Sequence, residues 1–270
     1  MDMTVFEPWL ARWGLTPDGA PFSGTFSRLL PVLRGAEPAM LKASMVPEEV
    51  GASRLMDWYQ GVAAARVLAQ ADDALLLERV TGGRSLAGMA RAGNDDAALD
   101  VLCGVAAKLH APRRAMPPDT LVPLSERVAP LRLAAKRHRG ILGRCWEEAL
   151  TLLAAKREER PLHGDLWHDN VLDGGARGWL AIDPKGLLGE REYDYALMLV
   201  TPDFEEMTDQ PRLRRRLTFV SRATGLEAHR LLRWVLVQAG LYAVWSLEGG
   251  HSPGIGLSLA EIAAAELGAR

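Results

Sequence analysis

The sequence predicts an α+β fold of two lobes: a small N-terminal lobe built on an antiparallel sheet and a larger, mainly helical C-terminal lobe. Three observations support it: two neighbouring β-type runs near the N-terminus, a third run that ends at two glycines, and helical spacing beyond them. A chain of 270 residues can hold two lobes that share an interface. We expect residues 1–77 to form the N-terminal lobe, 78–83 the linker between the lobes, and 84–270 the C-terminal lobe.

The N-terminal lobe is predicted to contain three strands and one helix. Residues 27–33 and 39–43 are apolar, β-type runs, and the turn-forming residues between them predict a hairpin. Pro47 and the two acids after it are typical of a helix N-terminus. Residues 74–80 predict a third strand, and the two glycines that follow permit a change of direction.

Helical periodicity dominates the C-terminal lobe. Apolar residues recur at spacings of three and four over 96–110, 141–156 and 231–247. One exception is predicted, because residues 171–172 and 179–182 flank a glycine-rich turn and are typical of a hairpin. We therefore expect one hairpin within an otherwise helical lobe.

The composition excludes several classes of function. The formal net charge of −2 lacks the basic excess that nucleic-acid and anionic-membrane binders show. No stretch is long and uncharged enough to cross a bilayer, and the N-terminus does not resemble a secretory signal. Two cysteines, Cys103 and Cys145, are too few for a disulfide framework or a thiolate metal site. We expect a cytoplasmic monomer that binds small molecules and neither nucleic acid nor membranes.

One segment carries the chemistry of phosphoryl transfer. That reaction needs a carboxylate beside the attacking hydroxyl, oxygen ligands for Mg²⁺ and a cation on the phosphates. His163, Asp165 and Asn170 reproduce the kinase catalytic-loop pattern of His, any residue, Asp, four residues, Asn. Asp183 follows the predicted hairpin and supplies a further oxygen ligand, and Lys42 supplies the cation. The sequence therefore predicts a kinase with a small-molecule acceptor.

These motifs resemble those of a known family. The chain is similar to the aminoglycoside phosphotransferase superfamily and, more narrowly, to the aminoglycoside/hydroxyurea resistance kinases, whose best-known members are streptomycin 6-phosphotransferases. The matching segments are Pro161–Leu166, Asn170–Leu172, Trp179–Gly186, Gly189–Arg191 and Tyr193–Ala196, with Met40–Lys42 and Met56–Gly61 upstream.

The resemblance implies a protein-kinase-like bilobal fold, with nucleotide and Mg²⁺ in the cleft between the lobes. It implies that Asp165 is the catalytic base, that Asn170 and Asp183 bind Mg²⁺, and that Lys42 binds the α and β phosphates of ATP or GTP. A glutamate of the next helix usually fixes this lysine, and we expect Glu49 in preference to the glutamate before it.

Two further nucleotide contacts follow from the resemblance. In such kinases the adenine bonds to the backbone of the strand between the lobes, which here falls at Glu78 to Val80. The glycine-rich phosphate loop of protein kinases is missing, so we expect backbone amides and the hydroxyls of Ser23, Thr25 and Ser27 to contact the phosphates instead.

Four residues are candidates for acceptor binding. Trp167 and His168 lie where an acceptor would sit, although a loop histidine is more often incidental. Trp245 and Glu248 lie near the end of an apolar helix, where a Trp-Glu pair at a pocket rim suits a cationic sugar, although tryptophan is more often a core residue. Lys185 is left with two roles, a phosphate contact or a structural ion pair.

Three hypotheses about function follow. We expect an ATP- and Mg²⁺-dependent O-phosphotransferase that acts on a cationic aminoglycoside, at the 6-hydroxyl of streptomycin, and so gives antibiotic resistance. The alternative acceptor is another small hydroxylated metabolite or hydroxyurea, because the same residues serve any hydroxyl. A nucleotide-binding pseudokinase is the third hypothesis, and the retention of the catalytic base Asp165 argues against it.

Overall fold

An antiparallel sheet forms the N-terminal part of the chain. The computed structural model describes residues 3–24, 26–44, 46–71, 73–138, 140–155, 157–203 and 208–269, and it describes 47–51 by their backbone alone. The strands of this sheet are β1 (Leu15–Pro17), β2 (Phe22–Ser23), β3 (Ser27–Arg34), β4 (Glu37–Ser44), β5 (Val67–Ala71) and β6 (Ala74–Glu78). They follow the order β1-β3-β4-β6-β5, and β2 pairs with β3.

The predicted hairpin is confirmed as β3 and β4, which pair over their full length. Apolar side chains alternate along these strands, and Leu30, Val32 and Leu41 are buried in the core. The register places Lys42 between Leu29 of β3 and Leu75 of β6. The sheet thereby fixes the backbone of Lys42 on its central strand.

The helices α1 (Glu7–Trp13) and α2 (Pro47–Trp58) accompany this sheet. The helix predicted at Pro47 is confirmed, with the proline in its first turn. α1 was not predicted from the sequence. Phe6, just before it, is fully buried in a small core with apolar residues of β3, β4 and β6.

The third predicted strand is confirmed as β6, which ends at Glu78 rather than at residue 80. Its neighbour β5 was not predicted, because it lies at the sheet edge and lacks alternation of buried and exposed side chains. The chain then runs to the first C-terminal helix along a path on which Gly82 N–H donates to the Asp173 carbonyl at 2.9 Å. The division into 1–77, 78–83 and 84–270 stays a prediction.

Helices make up most of the remaining chain, as predicted. They are α3 (Leu86–Arg91), α4 (Asp95–Leu109), α5 (Leu124–Arg127), α6 (Ala129–Arg137), α7 (Ile141–Ala154), α8 (Glu192–Met198), α9 (Gln210–Thr224), α10 (Ala228–Glu248) and α11 (Gly254–Gly268). The helices expected over 96–110, 141–156 and 231–247 correspond to α4, α7 and α10. None of the helices that the structure describes has the length and apolarity needed to span a membrane.

Short strands interrupt these helices. In the described part of the chain they are β7 (Val122–Pro123), β8 (Glu159–Leu162), β9 (Val171–Asp173), β10 (Trp179–Ala181) and β11 (Leu187–Glu190). The predicted hairpin is confirmed as β9 and β10. The expectation that it is the one exception to helix was wrong, because β7, β11 and β8 form a second sheet. These strands have two to four residues, too few to show a period of two in the sequence.

The C-terminal core is built around α10, which is buried along most of its length. Its Trp234 is fully buried and meets Tyr193 of α8 edge-on, with ring centroids 5.4 Å apart. α7, α8 and α11 pack against α10. α8 is thereby held directly behind the loop that follows β8.

Candidate active site

The loop after β8, residues 163–170, carries the predicted catalytic base and is called the catalytic loop below. His163 at its start is buried, and its Nε2 lies 2.8 Å from the Ile182 carbonyl. Burial lowers the pKa of this imidazole to about 4. His163 is therefore neutral at physiological pH and joins the loop to the end of β10.

A buried carboxylate fixes the start of the catalytic loop. Asp194 of α8 accepts the backbone N–H of His163 at 2.9 Å and that of Gly164 at 2.7 Å. Its Oδ2 also lies 2.8 Å from Nε2 of His110. Gly164 has φ +80°, and a Cβ there would lie 2.7 Å from the Leu187 side chain. Only glycine fits this conformation and this space.

Asp165 follows this anchored turn and is partly exposed. Asn170 Nδ2 donates to the Asp165 carbonyl at 2.8 Å and to its Oδ2 at 3.0 Å. Burial raises the pKa of Asp165 to about 6, and the charges of Lys185 and Arg127 oppose that rise. The carboxylate is therefore ionised at neutral pH and held in one orientation, as a general base must be.

Asp183 lies at the end of the β9–β10 hairpin in the left-handed conformation, with φ +58°. Its Oδ1 forms a close ion pair with Lys42 Nζ, and Lys185 Nζ lies 3.7 Å from its Oδ2. Burial alone would raise the pKa of this carboxyl, but the two lysines outweigh burial and hold it below its ordinary value. The Asn170 carbonyl accepts the Ile182 N–H at 2.9 Å, which places the candidate metal ligands Asn170 and Asp183 beside one another.

The structure thus brings together Asp165, Asn170, Asp183 and Lys42 from three separate segments: the catalytic loop, the end of the β9–β10 hairpin and β4. Lys42 is 9% exposed, and a small pocket beside it is lined by Ser53 and Met56 of α2, Leu75 and Leu77 of β6, and Asp183. The side chain of Glu49 lies outside the described residues, so its pairing with Lys42 stays a prediction.

The predicted adenine-binding segment begins at the end of β6. The Glu78 carboxylate is used within the protein: it accepts the Arg66 N–H at 2.8 Å and Arg66 Nε at 3.0 Å, and it pairs closely with Arg177. The Glu78 N–H donates to the Arg66 carbonyl at 2.9 Å. Any adenine contact must therefore use other backbone groups of this segment, and Val80 is half-buried within it.

The predicted phosphate-binding serines flank the turn between β2 and β3. Ser23 is exposed and Ser27 is buried, whereas Thr25 lies outside the described residues. The ring centre of the exposed Phe26 lies 5.9 Å from Lys185 Nζ, so this turn approaches the candidate site. Phosphate contacts from Ser23 and Ser27 stay a prediction.

The four acceptor candidates occupy different environments. His168 is 1% exposed, its Nδ1 lies 3.2 Å from Thr201 Oγ1, and burial lowers its pKa to about 3. We correct its assignment, because a side chain in the interior cannot contact an acceptor. Trp167 and Trp245 are half-buried and Glu248 is exposed, and their roles stay predictions.

Sequence reasoning missed one residue near the base. Arg127 of α5 stacks on Trp245, with its guanidinium carbon 4.2 Å from the ring centroid, and its Nε lies 3.4 Å from the Tyr193 hydroxyl. Its charge also acts on Asp165. A four-residue helix after a two-residue strand leaves no periodic signal, so nothing in the sequence marked this arginine.

Comparison with known proteins identifies the family. Residues 12–250 match the family model described as "Aminoglycoside/hydroxyurea antibiotic resistance kinase". The chain belongs to this family. The family expected from the sequence is therefore confirmed, and so is the enzyme class, a phosphotransferase with an alcohol group as acceptor.

Two relatives are similar over most of their length. The "Streptomycin 3''-kinase" of Klebsiella pneumoniae is 48% identical over 89% of this chain and 92% of its own. The "Streptomycin 6-kinase" of Streptomyces glaucescens is 36% identical over 92% of this chain and 84% of its own. This chain is thus similar to kinases named for two different positions of one acceptor.

A solved structure shows the same architecture at low identity. A thermostable mutant of the aminoglycoside phosphotransferase APH(4)-Ia, in ternary complex with ADP and hygromycin B, matches with a TM-score of 0.68 and 13% identity. The match covers 97% of this chain and 98% of that chain. This similarity confirms the predicted kinase-like fold.

Proposed function

We propose that this chain is an ATP- and Mg²⁺-dependent O-phosphotransferase whose acceptor is streptomycin. The observation that carries the proposal is the approach of two lysines to Asp183, which lies beside the Asn170 that orients Asp165. Lys42 and Lys185 each face one oxygen of Asp183. Such a group of cations and carboxylates suits a triphosphate, its metal ion and a hydroxyl nucleophile.

Asp165 is the proposed base. Asn170 binds both its backbone and its side chain, which leaves the carboxylate one defined orientation towards an incoming hydroxyl. The hydroxyl proton passes to Asp165 as the acceptor oxygen bonds to the γ-phosphorus and the bond to the nucleotide diphosphate breaks. Lys42 is proposed to bind the α and β phosphates of the nucleotide, ATP or GTP.

The side chains fit Mg²⁺, which prefers oxygen ligands and is usually held by one or two carboxylates together with substrate phosphates. Asp183 offers a carboxylate. Asn170 uses its amide nitrogen on Asp165, so its amide oxygen is the atom that suits a metal. Among the residues that the structure describes, no group of three or more His, Cys, Asp and Glu forms a metal site. A bound Mg²⁺ would neutralise charge on the phosphates.

The acceptor is proposed from the relatives' names, with two positions in view. The sequence led us to expect the 6-hydroxyl of streptomycin, in line with the 36% identical relative. The relative named for the 3''-hydroxyl is 48% identical, which favours that position as a second candidate. Another small hydroxylated metabolite or hydroxyurea remains the alternative acceptor, and the name of the matching family includes hydroxyurea beside the aminoglycosides.

An acceptor panel tests this proposal. The purified protein is supplied with Mg²⁺, ATP or GTP, and in turn streptomycin, other aminoglycosides, hydroxyurea, choline and simple sugars, and nucleotide consumption is measured. We expect consumption with streptomycin, and NMR of the product then locates the phosphate on the 6- or the 3''-hydroxyl. Turnover with hydroxyurea or a sugar alone would show that this compound, and not streptomycin, is the acceptor. No turnover with any acceptor would favour the pseudokinase hypothesis.

We further expect the protein to be a cytoplasmic monomer that binds neither nucleic acid nor membranes and that confers antibiotic resistance.

A further inference from the structure

Lys185 lies two residues after Asp183, where the chain turns back from β10 towards β11. The turn is rigidly placed. The Lys185 N–H donates to the His163 carbonyl at 2.6 Å, which joins it to the catalytic loop. The next residue, Gly186, has φ +65°, and a Cβ there would lie 3.2 Å from the backbone of Ala52 in α2. Lys185 is therefore held between the catalytic loop and the N-terminal part of the chain.

The ammonium group of Lys185 lies beside Asp183 and acts electrostatically on Asp165. Its Nζ is 3.7 Å from Asp183 Oδ2, whereas Lys42 pairs closely with Oδ1. Among the charges that lower the pKa of Asp165, that of Lys185 is the largest influence. The side chain is 21% exposed. The cation is thus accessible to a ligand that lies beside Asp183.

The two lysines approach Asp183 from different sides. Lys42 belongs to the sheet and borders the small pocket beside α2, whereas Lys185 is joined to the catalytic loop. The transferring phosphoryl group must lie between the acceptor hydroxyl at Asp165 and the metal ligand Asp183. Lys185 contacts Asp183, its charge acts on Asp165, and its backbone is joined to the catalytic loop.

A bound Mg²⁺ also changes what Lys185 can pair with. The ion binds through carboxylate oxygens, so it would compete with both lysines for Asp183. Such an ion is usually held by carboxylates together with substrate phosphates, so it would bring phosphate oxygens close to the carboxylate that Lys185 contacts. The terminal phosphate of the nucleotide is the one that the proposed reaction transfers.

We propose that Lys185 is a further catalytic residue, which binds the γ-phosphate of the nucleotide through its ammonium group and stays with it during transfer. This inference rests on the proposed function. Lys185 keeps its proton throughout: the phosphorus gains a bond to the acceptor oxygen and loses its bond to the diphosphate, while the acceptor proton goes to Asp165. Lys185 contributes positive charge to a group whose equatorial oxygens carry the negative charge.

The proposal separates triphosphate from diphosphate binding. The experiment is a calorimetric titration of Lys185→Met with Mg²⁺ and either a non-hydrolysable ATP analogue or ADP. We expect the Kd of the ATP analogue to rise about tenfold, as the loss of one hydrogen bond between charged groups implies. The Kd of ADP should change less than about twofold, because ADP lacks the phosphate that Lys185 binds.

Three variants serve as controls. Lys42→Met should weaken both nucleotides, because Lys42 is assigned to phosphates that both contain. Lys185→Arg should keep most of the preference for the triphosphate, since it keeps the charge. Lys136→Met, an exposed lysine of α6, should change neither Kd. Unchanged Tm values show that the variants are folded.

Two results would overturn the inference while leaving the proposed function intact. Equal weakening of both nucleotides by Lys185→Met would mean that Lys185 acts through the fold, and no change in either Kd would reduce it to a structural ion pair with Asp183. Failure of the unaltered protein to bind either nucleotide would overturn the proposed function, and this inference with it.

Discussion

The two sides of the candidate site are held in place by different interactions. On the predicted phosphate side, buried and partly buried hydrogen bonds and ion pairs fix the functional groups: Asp194 holds the catalytic loop, Asn170 holds Asp165, and Lys42 pairs with Asp183. On the predicted acceptor side, Arg127 stacks on Trp245, and Glu248 is exposed at the end of α10. Ring contacts and surface charges define position less strictly than buried polar networks do.

This difference matches the demands on the two sides. The phosphoryl group is the same in every turnover, so its ligands can be fixed by the backbone of the fold. The two relatives, by contrast, are named for different positions of one acceptor, streptomycin. A kinase family can therefore change the position that it phosphorylates at the weaker side without disturbing the stronger one.

The largest effect is expected from removing the carboxylate behind the catalytic loop. Asp194→Ala leaves two backbone N–H groups and His110 without their buried acceptor, and should lower the free energy of unfolding by about 3 to 5 kcal/mol. Asp203→Ala, which breaks the half-exposed pair with Arg91, should cost less than about 1 kcal/mol. Urea unfolding measures both. Equal losses would contradict the larger contribution expected from the buried carboxylate of Asp194.

A smaller loss of stability is expected at the turn of the catalytic loop. Gly164→Ala forces a side chain into a left-handed conformation and against Leu187, and should cost about 2 to 4 kcal/mol. Gly175 has a similar φ, but nothing lies within 4 Å of a Cβ added there. Gly175→Ala should therefore lower the free energy of unfolding by only about 1 kcal/mol. Thermal unfolding of both variants separates the two contributions, because only Gly164→Ala adds a steric clash to the backbone strain. A milder effect at Gly164 would show that the loop can move.

The smallest effect is expected on the acceptor side and concerns affinity alone. Trp245→Ala removes the ring on which Arg127 stacks, and should raise the KM for the acceptor about tenfold without changing that for the nucleotide. Glu248→Gln removes one exposed charge and should raise the acceptor KM about twofold. Steady-state kinetics with each substrate varied in turn provides the values. A rise in nucleotide KM would place Trp245 on the phosphate side.

Much of the phosphate side could be predicted from the sequence. The spacing of Asp165 and Asn170, and the hairpin before Asp183, are local features, and hairpins and loop motifs are visible in one stretch of chain. The β3–β4 hairpin that carries Lys42 was predicted for the same reason. The structure adds how these segments meet, through contacts such as Lys42 with Asp183, 141 positions apart in the chain.

The remainder depends on tertiary packing that no local pattern reports. His168 stands within the catalytic loop, yet its side chain turns into the interior towards Thr201. Arg127 reaches the site because β7 pairs with β11, a two-residue contact without a sequence signature. The edge strand β5 was missed because it lacks alternation. Burial and strand pairing of this kind are decided by distant residues.

The most direct test of the account is the turnover of Asp165→Asn with the acceptor that the panel identifies. The variant keeps the size of the side chain and removes its ability to accept a proton as a carboxylate. We predict that kcat falls about 10³-fold, within the range for losing a general base, while the Kd of the ATP analogue changes less than about twofold. Turnover close to that of the unaltered protein would contradict the assignment of Asp165 as the base.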